Sequence, residues 1–404
     1  MTSLAPLVTA PEVPFAEFER ILASIAEGAA ERERTREHPF DAVRELIDAG
    51  FGRLRVPVEH GGFDVSLRTL FDVLADLGEA DSNLPQVLRG HFTTVEILRH
   101  LPESPERQYW LDKIAAGAVF GNAQSEPASS AGFVLSTTLT GEAGALVVSG
   151  RKYYSTGSIY ADYIRVAAVE PDEKRTFAVV DAKHAGVTHL DDWDGIGQRL
   201  TGSGTTDFDA VPVEPHGTFA TGGVGGGFQS VFTQLVHQAN LTGIARNIVA
   251  DAVGLVRSRQ RTSLHALSET ATEDAAVLGV VGQVRVHARV AEALLHSAVD
   301  ELQRADDLFA EGDHSDNLYT AAYIATSEAQ IATVEAVTSA ATQLFNAGGS
   351  STVRETANYD RHWRNARTLS SHNPVIYKPH VIGDYLVNGR NPKQFHQSWG
   401  GTAR

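Results

Sequence analysis

The feature that most limits how this chain can fold is a change of period in its hydrophobic pattern between residues 119 and 215. Before it, Phe15, Phe18, Ile21, Leu22 and Ile25 recur at helical spacing, as do Val43, Leu46 and Ile47. The same spacing predicts a helix from Leu67 to Leu77, and a further helix opening at Arg89-Gly90-His91-Phe92. Pro57 to Phe63, with its Gly61-Gly62 pair, reads as a loop. Inside the block the apolar runs are short and β-rich: Phe133–Leu135, Ala145–Ser149, Tyr163–Val169 and Thr176–Val180, separated by Gly, Ser, Asp and Pro. After it, helices are predicted at 228–262, 273–309 and 316–346. In the last, Ile324, Ile331, Val334, Val337, Ala341 and Leu344 have the spacing of a buried bundle helix. Strands enclosed between helical stretches predict an α+β chain. At 404 residues it exceeds one ordinary core. The expected division is an N-terminal helical domain at 1–118, a central β domain at 119–217 and a C-terminal helical bundle with a tail at 218–404. Gly222 to Gly227 lacks the Lys-Ser/Thr of a phosphate loop and reads as a connector.

Composition narrows the partners. Lys and Arg number 34 against 50 Asp and Glu, a formal charge of −16, which argues against nucleic acid and anionic membrane as partners. With no cysteine, disulfides, thiolate metal sites and cysteine nucleophiles are excluded, and no metal site is expected. No apolar run approaches the roughly 18 residues that suggest a membrane span. The start, Met-Thr-Ser-Leu-Ala-Pro, has no basic region and no long apolar core, so a secretory signal is not expected and a cytoplasmic protein is.

The chemistry concentrates in four stretches. The tail from Tyr359 to Pro392 holds Arg361, Arg364 and Arg367 at spacings of three, with His362, Trp363 and His372. Residues three apart are helix neighbours, so the arginines are expected as one cationic stripe. Asn373-Pro374 disfavours continuation and leaves His372 at a helix end. Such a stripe suits an anionic, aromatic cofactor; salt bridges and a helix cap are the other uses it has. The remaining stretches are Gly121-Asn122-Ala123-Gln124-Ser125-Glu126-Pro127, Ser149-Gly150-Arg151-Lys152-Tyr153-Tyr154-Ser155-Thr156-Gly157, and Asp192-Trp193 through Gly197-Gln198-Arg199 to Ser203 and Phe208. The turn at Thr156 offers a hydroxyl and backbone N–H groups to a ligand edge that accepts hydrogen bonds. Trp193 either lies against a ring or plugs the core, and Arg199 is expected to fix a strand turn. Arg257-Ser258-Arg259-Gln260-Arg261 is a basic helix end, either plainly solvated or turned to a ligand.

On these residues the chain resembles the flavin-dependent monooxygenases built on the acyl-CoA dehydrogenase fold, closest to the dibenzothiophene monooxygenase and sulfur-acquisition oxidoreductase group. That group's tail reads approximately Asp-Arg-(aromatic or His)-Trp-Arg-Asn-x-Arg-Thr…His-(Asp or Asn)-Pro-Val, which this tail matches closely. The resemblance implies a helical domain, a small β-barrel-like domain and a four-helix bundle. It implies reduced FMN as cofactor, with FAD the alternative, O2 as co-substrate, and a separate NAD(P)H-dependent flavin reductase as partner. The implied reaction forms a C4a-hydroperoxyflavin that oxygenates sulfur in a small organosulfur compound. His372, His91 and Thr156 are the implied catalytic residues. Asn122, Ser125, Tyr154, Thr156, Trp193, Ser203 and Arg367 are the implied flavin contacts, with Arg257 and Arg261 reaching a neighbour's cofactor phosphate in a homotetramer. Two alternatives stay open: N-oxygenation of an amine or amino sugar by the same chemistry, and acyl-CoA dehydrogenation with FAD. The second is weakened at Asn373. Aligning Arg364-Asn365-Ala366-Arg367 with the dehydrogenases puts this amide where their glutamate base sits, and an amide is no base at neutral pH. In the other direction, Pro127-Ala128 follow Ser125-Glu126 as in the dehydrogenases, where the dibenzothiophene enzymes have Asn-Asn.

Overall fold

The structure, a computed structural model, describes residues 11–126, 135–142, 144–172, 174–218, 226–260 and 262–392. Its first part is helical: α1 (Phe15–Thr35), α2 (Phe40–Asp48), α3 (Leu67–Ala80), α4 (Leu84–His100) and α5 (Pro105–Ala115). The Ser66 hydroxyl caps α3 by accepting from Thr69 N–H, and Ser104 caps α5 from Arg107 N–H. Helix α4 corrects the expected start at Arg89. It opens at Leu84 with Pro85 in the first turn, where a missing N–H costs nothing, so Arg89 to Phe92 lie in its interior. Every residue from Leu84 to Leu98 is buried.

Among the described residues seven strands follow: β1 (Phe120–Ala123), β2 (Thr138–Thr140), β3 (Val147–Lys152), β4 (Tyr163–Val169), β5 (Arg175–Asp181), β6 (Val187–His189) and β7 (Thr206–Thr218). The expected runs at 145–149, 163–169 and 176–180 correspond to β3, β4 and β5. Of the expected strand Phe133–Leu135, Leu135 is not in a strand and the rest lies outside the described residues. The sheet closes on itself, β4 to β5 to β7 to β3 to β2 and back to β4 at Val169, where Thr138 pairs with it. β1 runs parallel to the first half of β4, and β6 pairs with β7. Alternate residues Ile164, Val166 and Ala168 of β4 join Val148, Ala178, Val180, Phe208 and Val211 in the barrel core.

The last part is a helical bundle: α6 (Gly226–Ser258), α7 (Ala275–Ala310), α8 (Thr320–Ala347), α9 (Asp360–Ser371) and α10 (Lys378–Asn388). Helix α6 ends at Ser258, before the expected 262, and of the expected connector Gly222 to Gly225 lie outside the described residues. Helix α6 is the hub, packing on α3, α4, α7, α8 and α9. Its contact with α3 is backbone to backbone: a Cβ on Gly243 would lie 2.4 Å from Ala75 O. Among the described residues no helix is long and apolar enough to cross a membrane.

Candidate active site

The four motif stretches are bonded to one another. Ser125 and Tyr153 form a β-bridge, and the Glu126 carboxylate meets the fully buried Lys152 ammonium at 2.7 Å. Gly157 N–H donates to Thr201 O, Ser155 N–H to Gly204 O, and the Thr156 hydroxyl lies 2.7 Å from that of Ser203. Gln198 N–H donates to the Asn365 side-chain carbonyl of α9 at 2.5 Å. Gly197 is required there, because a Cβ would sit 2.2 Å from Arg364 O. Local sequence thus builds three turns and a helix that only fit together around one space.

That space is a cavity of about 570 Å³ where α4, the barrel and α9 meet. It is lined by Asn122, Ser125, Tyr154, Thr156, Trp193, Ser203, Arg367 and His372, eight residues named from the sequence, brought together from three parts of the chain. Trp193 forms wall and not core: it is half-buried, its indole N–H donates to Gln198 O, and its ring stands 5.9 Å from that of Tyr154. Tyr154 is exposed at φ +60°, a region a tyrosine seldom occupies. Among the described residues no Asp or Glu lines the cavity.

The expected cationic stripe is corrected. Steps of three residues drift by about 60° on a helix of 3.6 residues per turn, so Arg361, Arg364 and Arg367 face different neighbours. Arg361 bonds Asp251 at 2.7 Å and Asn247 at 3.2 Å; Arg364 bonds Asp360, Glu33 and Asn358. Arg367 alone lines the cavity, exposed and without an ion pair among the described residues. His362 is a structural partner of Asp251 at 2.7 Å.

His91 is also corrected. It lies outside the cavity lining and is fully buried, with Nε2 on Gly52 O at 2.7 Å and Nδ1 accepting from Phe120 N–H at 3.3 Å. Both ring nitrogens are committed to backbone, and burial pushes the group down to about 4. It ties α4 to the turn after α2 and to β1, leaving no proton to exchange with a ligand. His372 ends α9 and lines the cavity. The surrounding protein and then the Arg89 guanidinium push it down to about 3, so it is neutral at pH 7. Arg257 is exposed at the end of α6 and does not line the cavity, and Arg261 lies outside the described residues.

Several lining residues escaped the sequence reading: Gln86 and Arg89 on α4, Gln124, Gln198, and Thr368 and Ser371 on α9. Behind them His237 of α6 packs on His372, ring centres 4.4 Å apart. The signal for Gln86 and Arg89 was their spacing of three, one helical turn, on a helix buried from Leu84 to Leu98, hidden by starting that helix too late.

An acyl-CoA dehydrogenase architecture with a cavity of this lining defines a flavoprotein class. Residues 18–118 match the acyl-CoA dehydrogenase N-terminal domain and residues 235–376 its C-terminal domain. Within that class the chain is a flavin-dependent monooxygenase, related to the dibenzothiophene and sulfur monooxygenase family. It is 28% identical over 383 residues to the dibenzothiophene monooxygenase of Rhodococcus qingshengii, covering 90% of each chain. It superimposes on methanesulfinate monooxygenase MsuC of Pseudomonas fluorescens with a TM-score of 0.85 at 25% identity, covering 95% of this chain and 98% of that one. FMN-bound TdsC of Paenibacillus sp. A11-2 gives 0.83 at 26% identity, covering 93% and 98%.

Proposed function

We propose that this chain is the oxygenase of a two-component system, taking reduced FMN and O2 and oxygenating a small organosulfur compound. The observation that carries the reading is the lining of the cavity: aromatic walls, hydroxyl and amide groups, two arginines without ion pairs (Arg89 and Arg367), one histidine and, among the described residues, no carboxylate. An acyl-CoA dehydrogenase needs a carboxylate to take the α-proton. Here Asn373 of the tail gives only its carbonyl, to Gln330 at 3.1 Å.

The residues fit a flavin. Trp193 and Tyr154 would take the faces of a planar ring, and Asn122, Ser125, Thr156 and Ser203 its polar edge. Arg367, free of acids, would take the phosphate. Bound in reduced form, the flavin supplies the electrons that activate O2. The chain's part is to hold, to exclude water, and to place the neutral His372 N–H at the oxygen being transferred. The reduced flavin comes from a separate NAD(P)H-dependent reductase. The protein works in the cytoplasm as a homotetramer, in which Arg257 and Arg261 reach the cofactor phosphate of the adjacent subunit.

The test supplies chemically reduced FMN and isotopically labelled O2 with small sulfides, sulfones and sulfinates. Label in the product is expected. Absence of label, together with anaerobic bleaching of bound FAD by an acyl-CoA, would establish the dehydrogenase instead.

A further inference from the structure

Arg89 lines the cavity with 8% of its surface exposed, makes no ion pair, and leaves Nε without a hydrogen-bond partner among the described residues. Arg55, also buried, bonds Glu96 at 2.6 Å. Arg165 leaves Nε and Nη2 without partners among the described residues, but it lies 3.8 Å over the Phe177 ring and lines none of the cavities. Arg89 is thus the buried unpaired arginine that a ligand can reach. A guanidinium does not shed its proton in a protein, so burying one unpaired is costly until an anion meets it.

No carboxylate lines the cavity beside it among the described residues, and neighbouring polar groups are unsatisfied too. The Gln86 side-chain oxygen, one helical turn earlier on the same face, has no partner among the described residues and would take a donor of the ligand and not its anionic group. His237 is buried with Nε2 unpartnered, and burial, His372 and Arg89 all hold it neutral. We infer that Arg89 determines substrate specificity, and that the substrate carries a small oxyanion group, held in the guanidinium fork beside His372. The inference rests on the oxygenase reading above and goes further by fixing the substrate's charge. A cationic amine is repelled, and a neutral sulfide leaves the guanidinium uncompensated.

The cofactor phosphate is the other oxyanion at hand, and position assigns it elsewhere. Arg367 is exposed and free, suited to a group that keeps its water. Arg89 is buried beside the proposed donor, where the reacting molecule must sit.

Three proteins test this: wild type, Arg89→Met and Arg89→Lys. The probes are methanesulfinate and methylthioacetate as anions and dimethyl sulfide as the neutral molecule. With methanesulfinate, one atom of O2 forms the new S–O bond and the other leaves as water with the two electrons and two hydrogens of reduced FMN. Wild type should favour the anions by about 100-fold in kcat/KM. Arg89→Met should erase that preference, chiefly through KM, while FMN affinity stays within about threefold; Arg89→Lys should restore part of it. Without ligand, Arg89→Met should melt higher than wild type, because an uncompensated charge is gone, and methanesulfinate should raise the Tm of wild type only.

Equal turnover of dimethyl sulfide by wild type would overturn the inference, as would no Tm response to methanesulfinate. Weaker FMN binding in Arg89→Met with unchanged preference would assign Arg89 to the flavin phosphate. If no probe acquires labelled oxygen, the oxygenase reading fails, and the Tm responses still decide whether Arg89 holds an anion.

Discussion

Lys152 has no exposed side-chain surface, and its ammonium is held there by Glu126 at 2.7 Å. That carboxylate also accepts from the backbone N–H and hydroxyl groups of Ser136 and Thr137. Burial alone would raise it; the Lys152 ammonium and those donors outweigh burial and hold it down at about 2. The glutamate of the Ser-Glu-Pro loop is therefore a clasp between two motifs, with no lone pair left for chemistry. Glu126→Gln leaves a buried ammonium unpaired and should cost about 3–5 kcal/mol in urea denaturation; near-wild-type stability would show that the clasp is not needed. His372 has the opposite character, since its ring packs on His237 yet opens to the cavity. His372→Ala should retain FMN affinity while oxygenated product falls by about 100-fold or more. O2 uptake should continue as released hydrogen peroxide. Unchanged product per O2 consumed would remove His372 from the chemistry.

Among the elements, α9 does most to assemble the site, because it carries Arg367, Thr368, Ser371 and His372 into the cavity and docks its backbone at Arg364 and Asn365 on Gly197. Gly197→Ala would press a methyl group against Arg364 O and Asn365 N, at 2.2 and 2.7 Å. Overpacking of this kind costs about 1–3 kcal/mol, and the shift of α9 should weaken FMN binding about tenfold in a fluorescence titration. Unaltered affinity would mean that the loop moves and not the helix. Elements with a clear period were legible in the sequence: α7, α8 and the apolar strand β4 fall within a few residues of expectation. Strand β7 was not, for a physical reason. It contains Asp207, Asp209, Pro212 and Pro215, with Ala210 and His216 at positive φ. It is held as a strand by partners, β3 as far as Pro212 and β5 from Val213, and that change of partner makes the corner that closes the barrel. The site was legible where a residue sits in a turn motif, as Thr156 and Trp193 do. It was illegible where the distinction depends on which neighbour a side chain meets, as for Arg361, Arg364, His91 and the missed Arg89.

Taken whole, the molecule joins its helical start to its barrel through His91, which bonds Gly52 on one side and Phe120 on the other. The join exists only while the ring is neutral, since Nδ1 must accept. Burial places the native group at about 4, against an ordinary value of 6.5. Below pH 6.5 the unfolded chain therefore binds a proton that the folded chain refuses, and stability is lost as the pH falls toward 4. By pH 5 this histidine alone should remove about 2 kcal/mol relative to pH 7. Glu126, held at about 2, stays ionised in the folded protein while its unfolded counterpart, with an ordinary value of 4.5, begins to take up a proton, so it adds to the loss as the pH nears 4 but little above pH 5. The overall charge of −16 acts the other way, because protonation relieves repulsion as the pH falls. The informative quantity is thus the difference between wild type and His91→Gln, whose amide can donate to Gly52 O and accept from Phe120 N–H without titrating. Urea unfolding at pH 7, 6 and 5 should show the variant less stable at pH 7 but with a flatter decline, the gap narrowing by about 2 kcal/mol at pH 5. A constant gap would mean that His91 takes up its proton in the folded protein, and that the junction beside the cavity tolerates the charge.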